Sequence, residues 1–335
     1  MIDVENLVKR YGAFTAVAGI SFKADAGEIL GFLGPNGAGK TTTMRMLTGY
    51  MPPTAGTAKV AGFDVFEQSL EVRKNVGYLP ETVPLYPDMT VKSYVRYIAD
   101  LRRVPKAASR VEDVLKAVGM YNRRDSLIRN ASKGMRQRIG LAQALVHDPA
   151  VLILDEPTIG LDPLQVTEVR ELVRDLGKKH TVMFSTHILS EAEQICDRVI
   201  ILNSGQIVAM DTPIHLRDRL QHGASQYVRL GGKLTDSDTA KRVLFSVAGV
   251  TNVEPYGGED ANGYIVRVHE AVDVRSRLAS AIFEAGGELL ELRPLAVSLE
   301  DIFIELTAQQ ASKGDHLDVD EPSPTRQPER KKARA

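Results

Sequence analysis

The residues best suited to chemistry in this chain are contiguous. Gly34, Pro35, Asn36, Gly37, Ala38, Gly39, Lys40 and Thr41 follow the spacing G-x-x-x-x-G-K-S/T. Glycines let successive backbone N–H groups close on phosphate oxygens, and a helix starting there adds its positive end. Lys40 would bring a cation to the outer phosphates of a nucleotide, and Thr41 a hydroxyl to Mg²⁺. Thr42, at the start of the helical run that follows, counts with Gly34 to Thr41 as a nucleotide contact. Farther on, the apolar run Val151 to Leu154 ends in Asp155 and Glu156. Carboxylates just beyond a buried parallel strand stand at the edge where α/β sheets hold ligands. Asp155 suits Mg²⁺, and Glu156 suits orienting or deprotonating a water. His187 follows another apolar run, Thr181 to Ser185, and so belongs to the same edge.

These side chains need a scaffold, and the flanking sequence describes one. Glu28 to Leu33 is a short apolar run before the glycine loop, as a buried parallel strand requires. Thr42 to Thr48 has helical spacing and stops at Gly49. Upstream, Ile2, Val4, Leu7 and Val8 mark one strand and Ala16 to Phe22 another. Tyr11 lies at the turn between them. Its ring either stacks on a base or packs on the sheet, and spacing alone does not separate the two. From the loop to residue 90 the pattern predicts short strands and turns, with strands over 56–62 and 76–79. Two amphipathic helices over 90–119 are parted by Pro105. Ser132 stands where the N-cap of a further helix belongs, with Gly134 in its first turn. A helix from about Pro163 to Lys179 separates the two acid- and histidine-bearing strands.

Beyond about residue 224 the pattern changes to strand 226–230, helix 237–246, strand 250–256, strand 263–269, helix 272–285 and strand 288–294. This βαββαβ order matches a ferredoxin-like unit. A last helix is predicted over 298–306, opened by Ser298 with Asp301 at N3. Residues 311–335 are polar and proline-containing, and are expected to be disordered. The expected division is an α/β domain over 1–223, a small α+β domain over 224–310 and a tail over 311–335.

The composition sets outer limits. The 335 residues carry 42 Lys and Arg against 43 Asp and Glu, a net charge of -1, so no global basic field points to nucleic acid. The short basic cluster Arg330-Lys331-Lys332 reads as a solvated tail. Cys196 is the single cysteine, which fits a reducing compartment and a small buried hydrophobe. No apolar run approaches the length of a bilayer span, and the N-terminus lacks the layout of a signal peptide. Any membrane role would therefore come through a partner.

Together these motifs resemble the ATP-binding cassette family, whose motifs occur here in the family's order from Tyr11 to His187. The resemblance implies a P-loop ATPase fold over roughly the first 220 residues, with ATP and Mg²⁺ as cofactors. It makes Tyr11 the adenine-stacking aromatic, Ser132 to Met135 the signature segment and Glu156 the catalytic base. It makes Leu161-Asp162 a dimer-contact loop and His187 a switch that contacts the γ-phosphate. Two departures stand out. Glu81 occupies the family's glutamine position, and ionised glutamate only accepts hydrogen bonds. Facing Mg²⁺ remains open to it. The signature reads Ala131-Ser132-Lys133-Gly134-Met135 in place of Leu-Ser-Gly-Gly-Gln, so the serine and second glycine remain while Lys133 adds a cation. Both departures are similar to the drug-resistance and gliding-motility branch of export ATPases. That branch implies a homodimer or paralogous heterodimer, a separately encoded permease, and a cytoplasmic location on the inner face of the membrane. An ATPase driving a soluble assembly without transport is the alternative.

Overall fold

In a computed structural model describing residues 1–216, 226–232, 234, 236–256, 262–268 and 273–294, the chain opens with a hairpin, β1 (Ile2–Tyr11) and β2 (Phe14–Ala24). Alternation drives it: Ile2, Val4 and Leu7 of β1 and Val17, Ile20 and Phe22 of β2 are buried. β3 (Ile29–Leu33), buried along its whole length, runs into the glycine loop and α1 (Lys40–Leu47). β4 (Ala55–Val60) and β5 (Phe63–Asp64) complete an antiparallel sheet in the order β2-β1-β4-β5. α2 (Ser69–Asn75) is a helix where the pattern predicts only strands and turns. Its seven residues bury Val72 alone, which leaves no helical period to read. β6 (Val76–Leu79) follows, then α3 (Val91–Leu101), α4 (Ala107–Ala117) and α5 (Lys133–Leu145). Pro105 falls between α3 and α4, and Ser132 caps α5 by accepting from Met135 N.

β7 (Val151–Asp155), α6 (Pro163–Gly177), β8 (Thr181–Thr186), α7 (Leu189–Ile195), β9 (Arg198–Asn203) and β10 (Gln206–Asp211) complete this part. The main sheet runs β10-β9-β3-β8-β7-β6, with β9 to β6 parallel and β10 antiparallel at the edge. Both faces are covered, which is why its strands read as near-continuous apolar runs. Leu30, Phe32, Ile153, Met183 and Ile200 belong to the cluster shared with the antiparallel sheet and α1. Leu33, Leu154, Phe184 and Ile201 belong to the cluster shared with α3, α4, α5 and α6. Cys196 lies against Gly31, and burial pushes its thiol well up, so it behaves as the small hydrophobe expected.

The remaining elements are β11 (Gln226–Gly232), α8 (Ser237–Phe245), β12 (Val250–Pro255), β13 (Gly263–Val268), α9 (Arg275–Glu284) and β14 (Gly287–Pro294). They form an antiparallel sheet in the order β12-β13-β11-β14 around a core that includes Val228, Leu230, Leu244, Val266, Leu278 and Ile282. The predicted βαββαβ order is observed. The junction at 223/224, the helix over 298–306 and the tail over 311–335 lie outside the described residues.

Candidate active site

The glycine loop is built for close approach. A Cβ on Gly39, whose φ is 101°, would stand 2.6 Å from the Ala16 carbonyl oxygen, and one on Gly34 would stand 2.5 Å from that of Leu202. Only glycine fits either place. Lys40 opens α1 and is buried. Its Nζ donates to the carbonyls of Gly34 (2.6 Å) and Pro35 (3.3 Å) and stands 3.3 Å from Glu156 Oε1. The ammonium thus curls over the loop it belongs to. Pro35 to Thr42, Phe14, Ala16, Glu81, Glu156 and Ile159 line a cavity of about 400 Å³.

Glu156 reaches this cavity, with Asp155 buried behind Thr41, because β7 lies beside β8 in parallel register and sets Asp155 opposite Ser185. Asp155 is fully buried. Its Oδ1 accepts from Ser185 Oγ (2.8 Å) and Thr41 Oγ1 (3.2 Å), while Oδ2 is buried without a partner. Burial pushes the Asp155 carboxyl up, and the hydrogen bonds from Ser185 and Thr41 oppose that shift. A buried carboxylate oxygen without a partner, beside a threonine hydroxyl, is the hard-oxygen donor set that Mg²⁺ takes, so Thr41 and Asp155 fit that ion.

Glu156 is buried and sits at φ 49°, in the left-handed region, a strain of about 1–3 kcal/mol for a residue with a Cβ. Its backbone N–H donates to Ser185 Oγ at 2.9 Å. Its Oε2 stands 2.8 Å from Nδ1 of His187, whose side chain is 42% exposed. Glu81, exposed in the loop after β6, borders the same cavity. β6 is the neighbour of β7, so its C-terminal end arrives at the edge where Asp155 stands.

Three predicted residues lie elsewhere. Tyr11 does not border this cavity; its hydroxyl meets Met51 Sδ at 3.2 Å, and the Lys9 ammonium sits 5.5 Å from its ring centre. The aromatic that borders the cavity is Phe14, 62% exposed across the same turn. Sequence reasoning passed over Phe14, although an apolar ring flanking a turn is itself a signal. Ser132 and Gly134 border a separate cavity of about 340 Å³ with Gly119, Arg138, Gln165 and Glu168. A Cβ on Gly134 would stand 2.5 Å from Gln165 Oε1, so a larger residue there would have to displace the Gln165 side chain of α6. Ser185, which braces both acids, was also missed; a serine inside an apolar run reads as filler until its neighbour strand is known.

Comparison with known proteins follows the same lines. A family model described as ABC transporter matches residues 17–159. The bacitracin transport ATP-binding protein BcrA of Bacillus licheniformis is 33% identical over 308 residues, spanning 91% of this chain and 97% of that protein. Nod factor export ATP-binding protein I of Burkholderia lata is 36% identical over 314 residues, spanning 92% and 97%. The solved structure of an ATP-binding subunit of an ABC transporter matches with a TM-score of 0.60 at 30% identity, over 66% of this chain and 93% of that one. With a glycine loop whose Gly34 and Gly39 leave no room for a side chain, and relatives matched nearly end to end, the chain belongs to the ATP-binding subunits of ABC transporters and is an ATPase of that family.

Proposed function

We propose that this chain powers export. It binds ATP with Mg²⁺, pairs with a second cassette that is a copy of itself or a paralogue, and drives a separately encoded permease. The observation that carries this reading is that Lys40, Thr41 and Glu156 line one cavity, with Asp155 bonded to Thr41 and His187 to Glu156, while Ser132 borders another. One chain then holds two unlike halves of a site, and a head-to-tail pair brings the Ser132 helix of each over the phosphate loop of the other. The helix N-terminus would offer the γ-phosphate its N–H groups and positive end. Ring stacking on adenine is proposed for the aromatic pair at the hairpin turn, Tyr11 and its strand partner Phe14, of which Phe14 borders the cavity.

In this mechanism Lys40 leaves the Gly34 and Pro35 carbonyls for the β- and γ-phosphates. Mg²⁺, held by Thr41 and Asp155 with Glu81 facing it, would neutralise charge developing on the phosphates. Glu156 takes the proton of a water whose oxygen bonds to the γ-phosphorus. The bond from that phosphorus to the bridging oxygen breaks, and ADP and phosphate form. His187 holds Glu156 through Nδ1 and senses the γ-phosphate. ATP closes the pair and loss of phosphate opens it, which moves the permease. Among the described residues no helix is long and apolar enough to cross a membrane. A peripheral place on the inner face through the permease is part of this reading. The division at 223/224 and after 310 belongs to the same reading, with the C-terminal unit an accessory domain.

Glu156→Gln tests the chemistry. We expect turnover to fall by about 10²–10⁴-fold, the range for loss of a general base, with ATP affinity within about threefold and an ATP-stabilised dimer on size exclusion. Hydrolysis at the wild-type rate would remove Glu156 as the base.

A further inference from the structure

Beneath the pair Glu156 and His187 lies a carboxylate that the mechanism above does not use. Glu191, in the first turn of α7, is 3% exposed. Its Oε2 accepts two hydroxyls at once, Thr158 Oγ1 at 2.8 Å and Thr186 Oγ1 at 2.9 Å. Thr186 Oγ1 in turn accepts the Ile188 N–H at 2.9 Å. Thr158 lies two residues past Glu156, and Thr186 immediately precedes His187. The connections close a ring: Glu156 leads by the chain to Thr158, by hydrogen bonds through Glu191 to Thr186, by the chain to His187, and by the 2.8 Å contact back to Glu156.

Two physical points give this ring a purpose. No cation pairs with Glu191 among the described residues, so its burial is costly unless something is gained. Glu156 is held in the left-handed region, and such a conformation persists only when its surroundings over-determine it. The Ser185 hydroxyl fixes Glu156 on its N-terminal side, and Glu191 fixes the segment on the other side.

We propose that Glu191 is a positioning residue for ATP hydrolysis: one buried carboxylate oxygen ties the segment bearing Glu156 to the segment bearing His187 and keeps the two in contact. This rests on the reading of Glu156 and His187 as the groups that handle the attacking water. Glu191 does not line the phosphate-loop cavity, so its loss should change kcat and leave binding alone.

The test uses the full chain with Glu191→Ala, Glu191→Gln and Thr158→Val, each in the wild-type and His187→Ala backgrounds. The readouts are kcat, KM for ATP, fluorescent-ATP affinity and thermal melting. Glu191→Ala should lower kcat about tenfold or more with KM within about twofold, the signature of a loss felt only in the transition state. Glu191→Gln should stay within about threefold of wild type, because an amide carbonyl accepts the same two hydroxyls. In the His187→Ala background Glu191→Ala should cost less than about twofold more, since residues acting as one unit are non-additive. Fully multiplicative losses with a defective His187→Ala parent would overturn this inference alone. A His187→Ala parent at the wild-type rate would overturn the catalytic reading and this inference with it. A Glu191→Gln loss equal to that of Glu191→Ala would also overturn it. Should Glu191→Ala fail to fold, Thr158→Val carries the same test, with a kcat loss of about threefold or more that disappears in the His187→Ala background.

Discussion

The two cavities of the ATPase part are made from the same materials to different ends. The phosphate-loop cavity is crowded with charge: Lys40, Glu156 and Glu81 line it, and Thr41 bonds to the buried Asp155 across 114 positions of sequence. The signature cavity holds a capped helix start, a glycine packed against Gln165, and the Arg138–Glu168 ion pair. On the proposed reading the first cavity holds and cleaves a triphosphate and the Ser132 helix of a second copy covers it. α5 packs on one face of the main sheet and α1 on the other, so the packed sheet keeps that helix terminus from the phosphate loop of its own chain.

The comparison can be broken at either cavity. The largest expected effect on ATP binding is at Lys40. Lys40→Ala removes the cation over the phosphates and strands Glu156 Oε1, so ATP affinity should fall about tenfold to a hundredfold, from about 1.5–3 kcal/mol per charged hydrogen bond. Unchanged binding in a fluorescent-ATP titration would refute the phosphate-loop assignment.

A smaller effect on binding, and a sharper one on assembly, is expected at Ser132. Ser132→Asp keeps a good N-cap but sets a carboxylate toward the partner's triphosphate. ATP affinity of the monomer should stay within about twofold while ATP-driven dimerisation falls about tenfold, the scale of one like-charge contact near a surface. Mixing Lys40→Ala chains with Ser132→Asp chains offers a complementation test. Mixed pairs contain one intact composite site, so activity should return to a part of the wild-type level although neither variant has it alone. No return would mean that each site is complete within one chain.

The smallest effect is expected at Glu81. Glu81→Gln should leave the Mg²⁺ dependence of hydrolysis nearly unchanged, since the amide carbonyl still accepts, whereas Glu81→Ala should raise the Mg²⁺ requirement by about threefold to tenfold, roughly one lost oxygen contact. Glu81→Ala should also impair permease-coupled transport more than basal hydrolysis. Identical Mg²⁺ titrations for all three proteins, with transport intact, would make Glu81 an ordinary loop acid at the rim.

What the sequence determined alone was whatever is local. The glycine loop, the strand that enters it and the helix that leaves it are written in consecutive residues, because a phosphate cradle is a property of one turn of backbone. The βαββαβ order after residue 224 was legible for the same reason, since each strand and helix there keeps its own period over six to ten residues. Asp155, Glu156 and His187 were legible as strand-end residues at one sheet edge. Their partners were not. Ser185 braces Asp155 only because β8 lies beside β7, and Glu191 joins Thr158 to Thr186 only because α7 folds back under both strand ends. Phe14 in place of Tyr11 at the cavity rim depends on the twist of a hairpin, which alternation does not specify. The separation of Ser132 from Lys40 is also a matter of strand order: α5 packs on one face of the main sheet and α1 on the other. Which strands become neighbours is decided by burying both faces of that sheet at once, a condition on the whole chain that no short stretch of it contains.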